Sequence, residues 1–428
     1  MKHLKMRKYV RRMLLSVALG AAVWGLFGCK GQKDRKEGTE ESLAAAVQVT
    51  HRAEEETAGS NREDEEKNLE GSLVSGDGTV LWKSGETEKN KEQKGRDAKE
   101  ERQEVKLLFG GDVFLSSHVL SAYESAGGIH GVLDQGYRDA IETCDFFMVN
   151  EEFPFSSRGV QAEDKQFTFR LSPEKVSLFQ EMGIDGVSLA NNHALDFGTD
   201  ALLDTVEVLD KAGILHTGAG ENLAQACVPV TIDIHGIKTA VIGATRVIPE
   251  AGWAAGNSHP GMLATYDASI LLGEIENLRS KYDYIIVFVH WGIEREEIPQ
   301  EYQRTLGRQY IDAGADMVIG SHPHVLQGIE YYKGKPIIYS LGNFVFGSSI
   351  PKTVLLEVTL PARLREEDVI SKSSEWKEEP VLRILPGTSG NGYTRSIMEE
   401  EKQREIYQYL EDISFGIIMR EDGTICAQ

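Results

Sequence analysis

The run Tyr284-Ile285-Ile286-Val287-Phe288-Val289, followed by His290-Trp291-Gly292, decides the fold class of this chain. Six consecutive apolar residues describe a central strand buried on both faces. Such strands belong to α/β proteins, in which helices cover the sheet. Helical spacing over 268–281 precedes the run and a second helical pattern over about 299–313 follows it. The same alternation extends outward in both directions. Apolar runs at 105–109, 146–149, 239–242, 317–319, 336–339 and about 353–359 read as strands. Helical spacing occupies 119–125, 137–143, 173–182, about 199–212 with Gly213 as its C-cap, and 399–413. The expected architecture is a layered α/β domain, and the chain shows no internal repeat.

The residues just beyond the strands carry the chemistry. Three segments place histidines directly after an apolar run: Leu189-Ala190-Asn191-Asn192-His193-Ala194-Leu195-Asp196, Val289-His290-Trp291-Gly292 and Gly320-Ser321-His322-Pro323-His324. The carboxyl edge of an α/β sheet is where ligands bind, so Asn192, His193, His290, His322 and His324 are placed to converge there. Gly110-Gly111-Asp112 and Asn150-Glu151-Glu152 end two further strands in the same way. This mixture of nitrogen and oxygen donors suits a borderline divalent ion: imidazole favours zinc, iron and manganese, carboxylate favours manganese and magnesium.

Each residue also has a plainer role open to it. Asp112 precedes a helix and suits an N-cap. The Asn192-His193 pair lies in a turn that Asn191 or Asp196 can cap. His322 and His324 face the same side if the backbone is extended, with Pro323 restricting it and Gly320 allowing a tight turn. Trp291 is placed either to stack on a substrate or to shield the metal. Asn343, in Ser340-Leu341-Gly342-Asn343-Phe344, either contacts the site or caps a turn.

The 428 residues include 41% hydrophobic and 26% charged, with a formal net charge of −21 and no dense basic stripe. That argues against a nucleic-acid partner. It leaves an anionic substrate open, because a bound metal reverses the local sign. The four cysteines lack Cys-x-x-Cys spacing, so a zinc-thiolate site is not expected. Residues 1–12 are basic and 13–28 apolar, the layout of a secretory signal. Leu26-Phe27-Gly28-Cys29 resembles the lipobox of bacterial lipoproteins, which implies cleavage before Cys29 and its lipidation; the alternative is an uncleaved signal anchor. Either way the remainder lies outside the cytoplasmic membrane, anchored to it. Residues 30–104 carry acidic runs such as Glu63-Asp64-Glu65-Glu66 and read as a disordered charged stalk. The globular domain is expected over 105–362, and 363–428 as a C-terminal extension of it.

In this order, Gly111-Asp112-Val113, Val149-Asn150-Glu151-Glu152, the segment 183–198, His290-Trp291-Gly292, the segment 314–327 and Tyr339-Ser340-Leu341-Gly342-Asn343-Phe344 form a specific set. From Leu107 to about Phe346 the chain resembles the CapA family of capsule-synthesis proteins, associated with poly-γ-glutamate capsule biosynthesis. The resemblance implies a layered, metallophosphatase-like fold related to calcineurin-type phosphoesterases. It implies a metal-site constellation of Asp112, Glu152, Asn192, His193, His290, His322 and His324, in which a hydrolase would use His193 as the catalytic general acid and the other six as metal ligands. It is this resemblance that selects Glu152 over Glu151. Metallophosphoesterases carry Asp-x-His in the first motif; here Val113 and Phe114 follow Asp112, which leaves the number of ions open. Capsule-synthesis membrane proteins are implied as partners.

Two functions from different classes are consistent with these residues. One is a metal-dependent hydrolase acting on a phosphoester or a γ-glutamyl amide of an anionic, cell-envelope polymer. The other is a non-catalytic subunit of a capsule synthesis or export complex that binds a polyanion in the same pocket. No nucleotide-binding Gly-x-x-x-x-Gly-Lys loop is present, so polymerisation would fall to a separate enzyme.

Overall fold

Side-chain alternation along Tyr284–His290 separates two cores. Tyr284, Ile286 and Phe288 join one buried cluster, and Ile285, Val287 and Val289 join another. The first cluster draws residues from two different sheets and lies between them. The structure is a computed structural model that describes residues 104–361 and 379–428, with the backbone of two short strands, Ser72–Val74 and Val80–Trp82.

One sheet runs Ser72–Val74, Val80–Trp82, Val230–Ile234, Ile237–Thr245, Tyr284–His290, Met317–Ser321, Lys335–Ile338, Ile329–Tyr332. The other runs Tyr393–Ser396, Val381–Gly390, Ser349–Leu360, Val105–Val113, Phe146–Glu151, Gly186–Ser188, Leu215–Thr217, and Asn343–Val345 also pairs with Val105–Val113. The outer face of the second sheet packs on Ser117–Ala126, Gln135–Glu142, Val176–Glu181 and Thr199–Ala212 through Val119, Tyr137, Phe179 and Leu202. The outer face of the first packs on Ser269–Leu278 and Glu301–Asp312 through Leu271, Ile275 and Tyr310. The result is four layers: helix, sheet, sheet, helix. The layered α/β class expected from the alternation holds. The pairing of two sheets does not follow from that alternation, because a strand covered by a helix and one covered by a second sheet are equally apolar.

Each sheet has a parallel block. Ile237–Thr245, Tyr284–His290, Met317–Ser321 and Lys335–Ile338 run together in one. Val105–Val113, Phe146–Glu151, Gly186–Ser188 and Leu215–Thr217 run together in the other. Residues at the carboxyl ends of both blocks supply the candidate metal centre.

The C-terminal residues are structural parts of the sandwich. Val381–Gly390 pairs along Ser349–Leu360, and the helix Glu400–Ile413 places Ile406, Tyr407 and Leu410 in the inter-sheet core. The expected signal with Cys29, and most of the expected stalk, lie outside the described residues. Two stretches of that stalk are strands, however. Ser72–Val74 and Val80–Trp82 form an antiparallel pair, and the second lies parallel to Val230–Ile234. The expectation of an unstructured segment therefore fails over these six residues, where short apolar patches meet an open sheet edge. Among the described residues no helix is long and apolar enough to cross a membrane.

Candidate metal centre

The first donor is aimed by a bulge. Along Val105–Val113, Val105, Leu107 and Phe109 face the inter-sheet core, so simple alternation would turn residue 111 inward and 112 outward. Phe109 pairs with Met148 and Asp112 with Asn150, three steps against two. This extra residue reverses the parity, so Asp112 points between the sheets and Val113 joins the helix-side core. Gly111 makes the bulge possible: a Cβ there would lie 1.8 Å from the Gly342 carbonyl oxygen. Asp112 is fully buried and does not cap the helix that follows; Ser116 does.

Along Phe146–Glu151, Phe146 and Met148 face the inter-sheet core, and Phe147 and Val149 the helices. The same alternation sends Asn150 and Glu152 to the site and Glu151 away from it. Glu152, and not Glu151, thus lies among the candidate donors. Asn150, not anticipated as a site residue, donates from Nδ2 to Asp112 Oδ1 at 2.8 Å and lies 3.4 Å from His290 Nδ1. Asn191 holds the next loop: its Nδ2 donates to the Glu151 carbonyl and to Asn150 Oδ1, and its Oδ1 accepts from the His193 amide. Asn191 therefore does the turn-forming, and Asn192 turns inward, its Oδ1 2.7 Å from His290 Nε2.

His290 keeps the parity of Ile286 and Phe288 and enters the site, with Ser321 Oγ 3.0 Å from Nδ1. Trp291 keeps the parity of Val287 and Val289 and does not. It is fully buried in the helix-side core, stacks near Tyr310 and Tyr339, and donates from Nε1 to the Tyr339 carbonyl. The expected contact with substrate or metal is thus replaced by a packing role. Gly320 is required for this packing: a Cβ would lie 2.0 Å from the Tyr339 oxygen and 2.5 Å from Trp291 Nε1.

His322 and His324 do not share one side of an extended segment. Their φ angles are +97° and +58°, conformations costing about 1–3 kcal/mol each that persist where surroundings hold them. The His322 amide donates to Asp112 Oδ2, and Asn343 Oδ1 sits 2.8 Å from His324 Nδ1. Asn343 is therefore bound to a histidine of the cluster. The strained turn splits the two imidazoles between neighbouring donor sets. One set is Glu152, His290 and His322; the other is Asp112, Glu152 and His324, each with its donor atoms within 4.8 Å of one another. Glu152 belongs to both.

The donors fit a divalent ion. Both carboxylate oxygens of Glu152 and Nδ1 of His322 are buried without any hydrogen-bond partner. Buried groups left unpaired cost about 1–3 kcal/mol each and call for an explanation, of which an ion is one. Burial and the nearby Asp112 raise Glu152 well above the usual carboxylate range, against the pull of His324. Burial and the neighbouring His322 and His324 hold His290 well below its ordinary value. His322 is pushed down to about 3 by burial and then by His324. His324 moves the other way: burial lowers it, but Glu152 and Asp112 outweigh that and raise it to about 10. His324 Nδ1 lies 3.4 Å from Asp112 Oδ2 and 3.9 Å from Glu152 Oε2, so the two acids and the imidazole form one coupled cluster. A cation binding there displaces any proton that the cluster holds.

His193 stands beside the cluster. Its Nδ1 lies 2.7 Å from Asp196 Oδ2, and Phe169 stacks on its ring at 4.2 Å. Burial lowers its pKa, opposed by Asp196. Lys165, from the preceding loop, donates to Asp196 Oδ1 and to the Asn192 carbonyl. Neither Lys165 nor Phe169 carries any sequence signal of this role, since both reach the site through a long irregular loop.

The chain has counterparts among known proteins. The chain is 33% identical over 247 residues to the PGA biosynthesis protein CapA of Bacillus subtilis, covering 57% of this chain and 64% of that protein. It is 31% identical over 263 residues to the capsule biosynthesis protein CapA of Bacillus anthracis, covering 59% and 62%. The matched part thus spans less than two thirds of either relative. A solved phosphatase from Mycoplasma pneumoniae aligns at a TM-score of 0.37 and 14% identity, over 69% of this chain and 93% of that one. The profile of the bacterial capsule synthesis protein PGA_cap matches residues 106–348, which span the bulge, the shared glutamate and all the histidines of the cluster, and the chain belongs to that family.

Proposed function

We propose that this chain is a metal-dependent hydrolase of the cell envelope that serves synthesis of a poly-γ-glutamate-type capsule polymer. Its bond would be a phosphoester or a γ-glutamyl amide. The observation that carries this is Glu152, fully buried, with no hydrogen-bond partner for either oxygen, and common to two donor sets. Glu152, His290 and His322, with Asn192 beside them, would hold one ion; Asp112, Glu152 and His324 would hold another. A bound manganese, iron or zinc ion supplies activation of a water and stabilisation of the charge that develops on the reacting centre.

The chain's own residues do the rest. Asn150 and Ser321 orient His290, and Asn343 orients His324, as outer partners of metal ligands do. His193 commits Nδ1 to Asp196, which leaves Nε2 to exchange a proton with the leaving group. Location outside the cytoplasmic membrane, with Cys29 lipidated, belongs to the same proposal, as do membrane capsule-synthesis partners.

The test is turnover by the full chain loaded with manganese or zinc, on a panel of aryl and alkyl phosphoesters and γ-glutamyl oligomers. Cleavage of one class, lost on chelation and in His322→Ala, is expected. Retained metal with no cleavage of either class would sink the hydrolase assignment.

A further inference from the structure

The loop 156–170 leaves the second sheet and returns to it. Its ends are tied together, Ser156 N to the Leu171 carbonyl at 2.9 Å and Leu171 N to the Pro154 carbonyl at 3.0 Å. Between these ties it wraps one buried side chain, Asp196. Ala162 N donates to the Asp196 carbonyl at 2.8 Å, Phe169 N to Oδ2 at 2.6 Å, and Lys165 Nζ to Oδ1. Oδ2 also meets His193 Nδ1. Asp196 is fully buried, and every one of these donors comes from the loop or from His193 itself. The loop also lays Phe169 flat on the His193 ring, 25° from parallel, and Phe114 stacks on the far side of Phe169 at 4.0 Å.

We propose that Lys165 is a positioning residue for His193: its ammonium joins the Asn192 carbonyl to the Asp196 carboxylate and so fixes the imidazole in one orientation. The chemistry of the contacts supports this division of labour. Lys165 Nζ is 3.1 Å from His193 Nδ1, but that nitrogen faces Asp196 at 2.7 Å, and two donors cannot bond each other. Lys165 therefore acts on the carboxylate and the Asn192 backbone, not on the ring. Asp196 holds the proton of the ring on Nδ1, and Nε2 is left for the reacting groups. The charge of Lys165 also balances a carboxylate that burial would otherwise penalise. The geometric part stands independently of the reaction; its catalytic consequence rests on the role given to His193 under Proposed function.

The experiment uses the full, metal-loaded chain and its Lys165→Met and Lys165→Arg variants. In the wild type the Nδ1 proton of His193, shielded by Phe169, gives a slowly exchanging downfield resonance, assigned by its absence in His193→Gln. Lys165→Met loses that resonance. It also exchanges the amides of 162 and 169 about tenfold faster, the worth of one hydrogen bond to a charged group. Lys165→Arg retains both signals. The proposal is overturned if Lys165→Met keeps the resonance and exchanges these amides at the wild-type rate. Kinetics give a second arm. Loss of kcat that grows as the leaving group becomes poorer, with KM little changed, is expected of Lys165→Met. A uniform loss across leaving groups would show a merely structural lysine. If the wild type cleaves nothing, the hydrolase assignment fails, and the resonance and the exchange rates still judge Lys165.

Discussion

Glu151→Gln tests the side-chain parity on which the site rests. Glu151 shares the helix-facing side of its strand with Phe147 and Val149, is fully buried, and has no partner for either oxygen. Burial alone raises its pKa well above the ordinary 4.5. The sign follows from linkage. Below that ordinary value the folded and unfolded chains are both protonated, so Glu151 contributes nothing. Above it the unfolded chain releases the proton and the folded chain keeps it. Stability then falls by about 1.4 kcal/mol per pH unit, up to the raised folded value. Glutamine has nearly the same shape and does not ionise. The advantage of Glu151→Gln over the wild type should be near zero around pH 4.5 and grow to at most about 4 kcal/mol by about pH 7.5. The assay is urea unfolding of the chelated full-length proteins at several pH values, followed by tryptophan fluorescence. A difference that stays flat with pH would mean that Glu151 is ionised within the fold. The assignment of Glu152 alone to the site would then be wrong.

Gly111→Ala puts a methyl group where the Gly342 oxygen sits. We expect a loss of about 3 kcal/mol or more in urea unfolding, as over-packing against backbone does, together with weaker metal retention as Asp112 moves. Trp291→Ala should cost about 3–5 kcal/mol as a core truncation. It should leave metal stoichiometry unchanged at low temperature; loss of metal without loss of stability would restore Trp291 to the site. Metal affinity should rise with pH, by about tenfold per unit for each proton displaced from Glu152 or His324. His324 itself, raised to about 10, stabilises the metal-free fold at pH values below its ordinary 6.5, and that stabilisation is lost as pH rises through its raised value. Isothermal titration with manganese between about pH 6 and about pH 8 measures the first effect, and an affinity that falls with pH would contradict it.

Much of this site was legible because strand ends are legible. The apolar run before His290 marks a buried strand, and the residue after such a strand lies at the ligand-binding edge, whatever the details of the sheet. Parity was also present in the letters. Trp291 continues the phase of Val287 and Val289, yet within an unbroken apolar run the phase is hard to see, and a tryptophan beside a histidine invites a role at the ligand. Glu151 and Glu152 separate by the same rule once the register of Phe146–Glu151 is known. Other features depend on distant parts of the chain. The bulge that turns Asp112 inward needs the Gly342 carbonyl as its neighbour, and the left-handed turns at His322 and His324 need their surroundings to hold them. Lys165 and Phe169 arrive through a loop whose path no local propensity dictates. The strand Val381–Gly390 escaped notice because Arg383 interrupts its short apolar run and Pro386-Gly387-Thr388-Ser389-Gly390 reads as a loop, while Leu382 and Ile384 fill the core.

The central claim is that Glu152 is shared by two sets of metal donors. Metal analysis of the full-length chain after loading with manganese or zinc and exhaustive desalting tests it most directly, with Glu152→Gln and His193→Ala beside the wild type. The account predicts bound metal in the wild type, its loss in Glu152→Gln, and its retention in His193→Ala. A wild type that holds no metal, or a Glu152→Gln variant that holds as much as the wild type, would contradict it.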